Sequence, residues 1–134
     1  MSSRKPVSTT VIHHTRLRAQ VRLLLDDEIA LGPGKADLLS AIQTTGSISA
    51  AGKQMGMSYR RAWLLVDTMN RCFAEPLVIT AKGGSHGGGA HLSELGEKIL
   101  EIYRGMQVEV NTLTQKHFKK LKPLLREKAL PPHE

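Results

Sequence analysis

Residues 46–63 contain two short helical patterns separated by a glycine, and this segment constrains the fold more than any other part of the chain. Ser47 is a favourable N-cap for the first helix, and positions 50–52 hold only alanine and glycine, which let two helices cross closely. Gly56 supplies a turn, and Ser58 can cap the second helix. The segment therefore predicts a helix-turn-helix.

The second of these helices has one apolar face, because Ala62, Val66, Met69 and Phe73 recur at helical steps. Its first residues are then free to protrude. In a helix-turn-helix, residues at this place reach base edges and phosphates. The alternative is an ordinary solvated face, and Trp63 is expected to pack in the core or against a helix rather than to contact bases. The candidate DNA contacts of this segment are Ser47, Ser58, Tyr59, Arg60 and Arg61.

A glycine-rich loop follows the helix-turn-helix and is flanked by two short β patterns, at 77–80 and 90–92. This arrangement predicts a hairpin with a flexible tip, which is typical of a wing lying on the sugar-phosphate backbone or in the minor groove. Glycines can also make a merely flexible loop. Unobstructed backbone N–H groups and one lysine nevertheless favour phosphate contact. The candidate wing residues are Lys82, Gly83, Gly84, Ser85 and His86.

The remaining patterns surround this unit. Apolar residues alternate with polar ones from Leu17 to Leu25, which predicts a half-buried strand. Pro33 opens a helix that ends at Gly46 and has an apolar face containing Leu38, Leu39 and Ile42. Ser93 caps a long final helix, and Pro123 ends it. That helix carries an apolar stripe of Leu95, Ile99, Ile102, Met106, Val110 and Leu113.

The predicted fold class is mainly α with a small β wing (α+β), a winged helix-turn-helix followed by a long C-terminal dimerisation helix. We expect a flexible basic tail at 1–15, the DNA-binding domain at 16–92, the long helix at 93–122 and a second tail at 123–134.

The stripe of the final helix is longer than one small core needs. Leu95, Ile99 and Ile102 suffice to cover the core, so the later apolar residues are expected to pair with a second copy of the chain. The first strand is a further candidate contributor. The alternative is that Gly105 and Asn111 let the chain fold back on itself. The predicted homodimer interface consists of Met106, Val110 and Leu113.

Charge and composition favour a polyanionic partner. Nineteen Lys and Arg against twelve Asp and Glu give a formal charge of +7, which favours double-stranded DNA first and an anionic membrane surface second. Cys72 is the single cysteine, which suits a reducing compartment. The first residues contain no apolar run long enough for a signal peptide, and no apolar run in the sequence is long enough to suggest a membrane span. We therefore expect a cytoplasmic protein that is not inserted in membranes.

Catalysis, cofactors and metals find no support in the sequence. The six histidines share no metal-ligand spacing, and one cysteine cannot make a zinc set. The glycine loop lacks the Gly-Lys-Ser/Thr that a phosphate-binding loop requires. The carboxylates at 26–28 and at Glu94 and Glu97 fit solvated or capping roles. We expect no enzyme activity, no cofactor and no bound metal.

The order of small motifs resembles a known family. The motifs are Leu31-Gly32-Pro33, Gly46-Ser47-Ile48-Ser49, Gly56-Met57-Ser58-Tyr59, Ala62-Trp63, Asp67, Met69-Asn70, Glu75-Pro76-Leu77-Val78, and the run from Gly83-Gly84 to Gly87-Gly88-Gly89-Ala90 with Leu92. Together they resemble the N-terminal domain of ModE-type molybdate-responsive transcriptional regulators over roughly residues 17–110. A weaker resemblance extends to the LysR-type DNA-binding domain.

The resemblance implies a dimeric winged domain that binds operator DNA, in a protein linked to molybdate or molybdenum-cofactor metabolism. In that family molybdate is bound by a separate C-terminal domain pair, and the residues from Asn111 to Glu134 are too few to form it. The sequence does not identify a small-molecule effector. Two other hypotheses stay open: a DNA-binding accessory protein of low specificity, and a small oxyanion-binding module that uses the glycine loop.

Overall fold

The computed structural model describes residues 15–81 and 89–133. Within them, short antiparallel sheets and helices alternate, which confirms the predicted α+β class with a long C-terminal helix. A 3₁₀ turn over Lys122–Leu124 follows the last helix. The elements are β1 (Leu23–Leu25), β2 (Glu28–Leu31), α1 (Pro33–Thr45), α2 (Ile48–Gln54), α3 (Tyr59–Cys72), β3 (Val78–Thr80), β4 (Ala90–Leu92) and α4 (Glu94–Leu121).

Backbone contacts group these residues into two units. One contains residues 20–109, and the other contains residues 15–19 and 110–133 of the described chain. The core belongs to the first unit and is almost entirely aliphatic, as the low aromatic content requires. The predicted apolar face of α1 is fully buried. The largest fully buried side chains of the core are Leu38, Leu39, Ile42, Val66, Met69, Leu77 and Tyr103.

Local backbone chemistry sets the helix ends where the sequence predicts them. Gly46 ends α1 in the left-handed region, at φ 79°. The Ser47 Oγ accepts from the Ala50 N–H at 2.8 Å, and the Ser58 Oγ accepts from the Arg61 N–H at 3.1 Å. Each serine satisfies a helical donor that has no partner within the helix. These caps fix where α2 and α3 begin.

Close packing joins α2 to α3. A Cβ at Gly52 would lie 2.9 Å from the Ala62 Cβ, so only glycine allows this separation of the two helices. Gly56, at φ 72°, then turns the chain into α3. The predicted pair of short helices with a glycine turn is therefore present.

Asn70 ties α3 to the segment that enters β3. Its Oδ1 accepts from the N–H groups of Leu77 at 2.8 Å and Val78 at 3.1 Å, and its Nδ2 donates to the Val78 carbonyl at 3.2 Å. Leu77 is fully buried, so water cannot replace these bonds. The amide thus sets the position of the β3–β4 hairpin relative to α3.

Replacing Asn70 by alanine is expected to lower the free energy of unfolding by about 1–3 kcal/mol, because the buried Leu77 N–H loses its acceptor. Asn70→Asp keeps the acceptor oxygen and is expected to lose less. Urea denaturation of the two variants checks this. Equal stability of Asn70→Ala and wild type would contradict the assigned role.

The strand predicted from Leu17 to Leu25 is wrong over most of its length. Only residues 23–25 form a strand, and all three of its leucines are exposed. The chain turns at Asp26, which has φ 54°, and β2 is long enough to pair only with this last part. The alternation of apolar and polar residues indicates which side chains would share a face, but a strand also needs a hydrogen-bonded partner strand.

The core-facing side of α4 differs from the predicted stripe. Ile102 is 57% exposed, whereas Gly96, Leu100 and Tyr103 are buried. Gly96 lies against the Leu77 backbone, and this close contact sets the rotation of α4 about its axis. Residues four and seven positions later then face the core. Leu95, Ile99 and Met106 pack at its edge.

Candidate nucleic-acid interface

The surface formed by α2 and the start of α3 is cationic. Between Gly46 and Val66 the chain contains Lys53, Arg60 and Arg61 but no aspartate or glutamate. The first carboxylate of α3 is Asp67, and it pairs with Arg71 at 2.9 Å. A polyanion approaching the start of α3 therefore meets no acidic side chain from this segment.

Large side chains project from the first two turns of α3. Tyr59 is 57% exposed, Trp63 is 37% exposed, and their ring centroids lie 6.3 Å apart in an edge-to-face arrangement. Trp63 is therefore not a core residue, and its ring contact with Tyr59 is packing within the helix, the other environment expected for it. Ala62 faces the core, and the next residue lies about 100° around a helix of 3.6 residues per turn.

An open pocket of about 220 Å³ separates α3 from the base of the hairpin. Ser47 and Ser49 line it from the start of α2, Tyr59 and Trp63 from α3, and Thr80 from the end of β3. The Ala90 N–H donates to the Gly46 carbonyl at 2.8 Å, which attaches the hairpin to the α1–α2 junction. Three segments distant in sequence thus place hydroxyl and aromatic groups around one concave surface.

Arg61 lines a different pocket from Tyr59. It shares about 210 Å³ of open space with Arg22 and with Lys35 in the first turn of α1. Burial lowers the pKa of the Lys35 ammonium. The guanidinium groups of Arg61 and Arg22 lower this pKa further, whereas Cys72 and Glu28 raise it. Three cations converge here, a geometry suited to a phosphate group.

The predicted residues are only partly brought together. Ser47 and Tyr59 line one pocket, Arg61 lines another, and Arg60 is exposed on α3. The hydroxyl oxygens of Ser47 and Ser58 accept the capping bonds, which leaves their O–H groups able to donate. The predicted wing residues Lys82–His86 and residues 1–14 of the tail predicted at 1–15 lie outside the described residues.

Sequence reasoning did not identify Arg22, Lys35 or Trp63 as members of this surface. Arg22 and Lys35 reach Arg61 only through the packing of β2 and α1 on α3, so no local motif marks them. Trp63 could have been assigned to this surface from the sequence, because it lies four residues after Tyr59 and therefore on the same side of the helix.

The three predicted dimer residues have different environments. Met106 is half-buried and packs on the core of its own unit, Val110 is half-buried, and Leu113 is 56% exposed. Within residues 20–109, an apolar pocket of about 200 Å³ also opens beside Met106, Ile102 and Leu23. Exposed apolar surface is therefore present on the described chain.

In the ranges 15–81 and 89–133, no three or more His, Cys, Asp or Glu side chains gather as metal ligands would. Among the helices of those ranges, none combines the length and the apolar character needed to cross a bilayer.

The chain matches no family model. It is similar to several curated bacterial proteins. These include the molybdenum transport protein ModE of Azotobacter vinelandii, 41% identical over 71% of this chain and 35% of that protein. The molybdenum-pterin-binding protein MopB of Rhodobacter capsulatus is 43% identical over 68% of this chain and 34% of its own length.

The DNA-binding transcriptional dual regulator ModE of Escherichia coli (strain K12) is 37% identical over 60% of this chain and 31% of that protein. The chain thus spans about a third of the length of the curated relatives it matches. It is related in sequence to ModE and Mop proteins over most of its own residues.

Proposed function

We propose that this chain is a ModE-type regulator that binds double-stranded DNA sequence-specifically through a winged helix-turn-helix, in a process linked to molybdate or molybdenum-cofactor metabolism. The observation that carries the proposal is the exposed start of α3, where Arg60 projects from a segment with no carboxylate before Asp67. The names of the relatives support it, because they include a DNA-binding transcriptional regulator and molybdenum-related proteins.

In this proposal α3 is the recognition helix and enters the major groove with its first two turns. Arg60 contacts base edges, a guanine being the best partner for its paired donors. Ser47, Ser58 and Tyr59 donate to phosphates, and Arg61 joins Arg22 and Lys35 around a phosphate on the flanking backbone. The β3–β4 hairpin is the wing, and its residues Lys82–His86 contact the backbone.

The proposed organisation assigns DNA binding to residues 16–92 and dimerisation to the helix at 93–122, with tails on either side. The proposed compartment is the cytoplasm, where the DNA lies. No effector is assigned to these residues, since the relatives named for molybdenum are about three times longer than the matched region.

Selection from a random 20-base-pair duplex library with the purified chain tests the proposal. The selected duplex is expected to bind at least about 10³-fold more tightly than a shuffled duplex of the same composition at equal salt. A ratio near one contradicts sequence-specific binding and is the result expected of a low-specificity accessory protein. Calorimetric titration with molybdate and sulfate is expected to show no binding, and saturable heat would favour the oxyanion-binding module.

We further propose that the protein is a homodimer with Met106, Val110 and Leu113 at its interface. A two-fold axis pairs identical apolar surfaces and presents two copies of α3 to half-sites about one helical turn apart or a multiple of it. Met106 also packs on its own core and Val110 is half-buried, so Leu113 is the most exposed of the three.

Leu113→Asp is expected to weaken dimerisation by at least tenfold, because an apolar contact becomes a buried charge. Gln115→Asp, at an exposed position on the same helix, is the matched control and should dimerise as wild type does. Sedimentation equilibrium at micromolar concentration measures both. A monomeric wild type, or unchanged dimerisation of Leu113→Asp, would contradict the interface.

A further inference from the structure

The start of α3 exposes apolar side chains that the core does not use. Trp63 is 37% exposed and Leu64 is 54% exposed, whereas Val66 in the next turn is buried. Both exposed residues lie in the first two turns, one turn after Arg60. Two large exposed apolar groups within one helical turn of Arg60 and Arg61 call for a partner that is apolar locally and anionic overall.

Charge complementarity selects DNA over a protein partner. Arg60 and Arg61 lie beside this apolar pair, and residues 46–66 contain no carboxylate to neutralise them. A second copy of the chain would bring like charges together at the same surface, which is unfavourable. Double-stranded DNA combines a phosphate backbone with groove edges, and one of the four bases carries an apolar group there.

That apolar group is the 5-methyl of thymine, which projects into the major groove while the other bases present polar atoms. One helical turn separates Arg60 from Leu64 and advances about 5.4 Å along α3. Base pairs rise by about 3.4 Å, so the residue after one turn lies one or two base pairs away. An apolar group there is in reach of a neighbouring base.

We propose that Trp63 and Leu64 form a thymine-methyl contact, so that the recognised DNA contains a thymine one or two base pairs from the base contacted by Arg60. This inference rests on the proposed DNA binding by α3. Tyr59 supports the contact, because its ring meets the Trp63 indole edge to face at 6.3 Å and restrains it before DNA binds.

Replacement of thymine by deoxyuridine tests the inference, since it removes only the methyl group. In the selected duplex, each dT is replaced singly by dU and the dissociation constant is measured at fixed salt. The wild-type chain is expected to bind about fourfold more weakly when the contacted methyl is missing, the value for one buried methyl group. Trp63→Ala and Leu64→Ala are expected to bind more weakly and to lose this discrimination between dT and dU.

Leu130→Ala is the matched control, because Leu130 is an exposed leucine in the C-terminal tail and should leave the discrimination intact. Circular dichroism checks whether each variant is folded. If Trp63→Ala is unfolded, Leu64→Ala alone tests the loss of discrimination. Tight, selective binding with equal affinity for every dU duplex overturns the inference but leaves the proposed function standing. Discrimination that persists in both α3 variants also overturns it, and failure to select any duplex overturns both.

Discussion

Gly96→Ala is expected to lower the free energy of unfolding by about 3 kcal/mol, the upper part of the range for an overpacked core. A Cβ at this position collides with the backbone of Leu77, which is fully buried. The Leu77 carbonyl also accepts from the Ser93 N–H at 2.8 Å, so it cannot move away without breaking that bond. Relief of the collision requires α4 to shift as a whole, and the buried side chains of Leu100 and Tyr103 hold α4 on the core.

Gly105→Ala is the matched control on the same helix. No atom lies within 4 Å of the position where its Cβ would be. Alanine should therefore stabilise α4 by about 0.5–1 kcal/mol through helix propensity. Chemical denaturation followed by circular dichroism measures both variants. Opposite signs are expected, and a destabilisation shared equally by the two variants would contradict the role given to the Gly96 contact.

Arg60→Ala and Arg61→Ala are expected to weaken DNA binding in different ways. Loss of Arg60 should cost about 1–3 kcal/mol on the selected duplex and much less on a shuffled one, because a base contact is lost. Loss of Arg61, which lies with Arg22 and Lys35, should weaken binding to both duplexes about equally. It should also reduce the slope of log K against log salt by about one unit.

Gel-shift or fluorescence-anisotropy titrations over a series of salt concentrations distinguish the two effects. Lys98→Ala removes one exposed positive charge from α4, away from the two pockets, and is the control for the change in net charge. Unchanged affinity of both arginine variants at equal salt would contradict the placement of the interface on α3.

The features predicted correctly from the sequence are those decided by a few neighbouring residues. Ser47 and Ser58 mark helix starts because their hydroxyl oxygens accept from N–H groups three residues later. Gly46 and Gly56 mark turns because they adopt positive φ angles that other residues avoid. The two short helices, the hairpin and the end of α4 before Pro123 follow from such local rules.

The features that were predicted wrongly, or not predicted at all, involve contacts between distant segments. The rotation of α4 about its axis depends on the contact of Gly96 with the Leu77 backbone. Hydrophobic periodicity gives no indication of this contact. The strand at 17–25 is mostly absent because pairing depends on the length of β2. The cluster of Arg22, Lys35 and Arg61 needs three elements to pack before it exists.

The specificity ratio of Arg60→Ala tests most directly the claim that the start of α3 recognises a DNA sequence. The ratio is the dissociation constant for the shuffled duplex divided by that for the selected duplex, measured at one salt concentration. For wild type and Lys98→Ala we expect at least about 10³. For Arg60→Ala we expect a ratio about 5- to 150-fold lower, which corresponds to a loss of about 1–3 kcal/mol. A wild-type ratio near one, or an Arg60→Ala ratio equal to that of wild type, would contradict the claim.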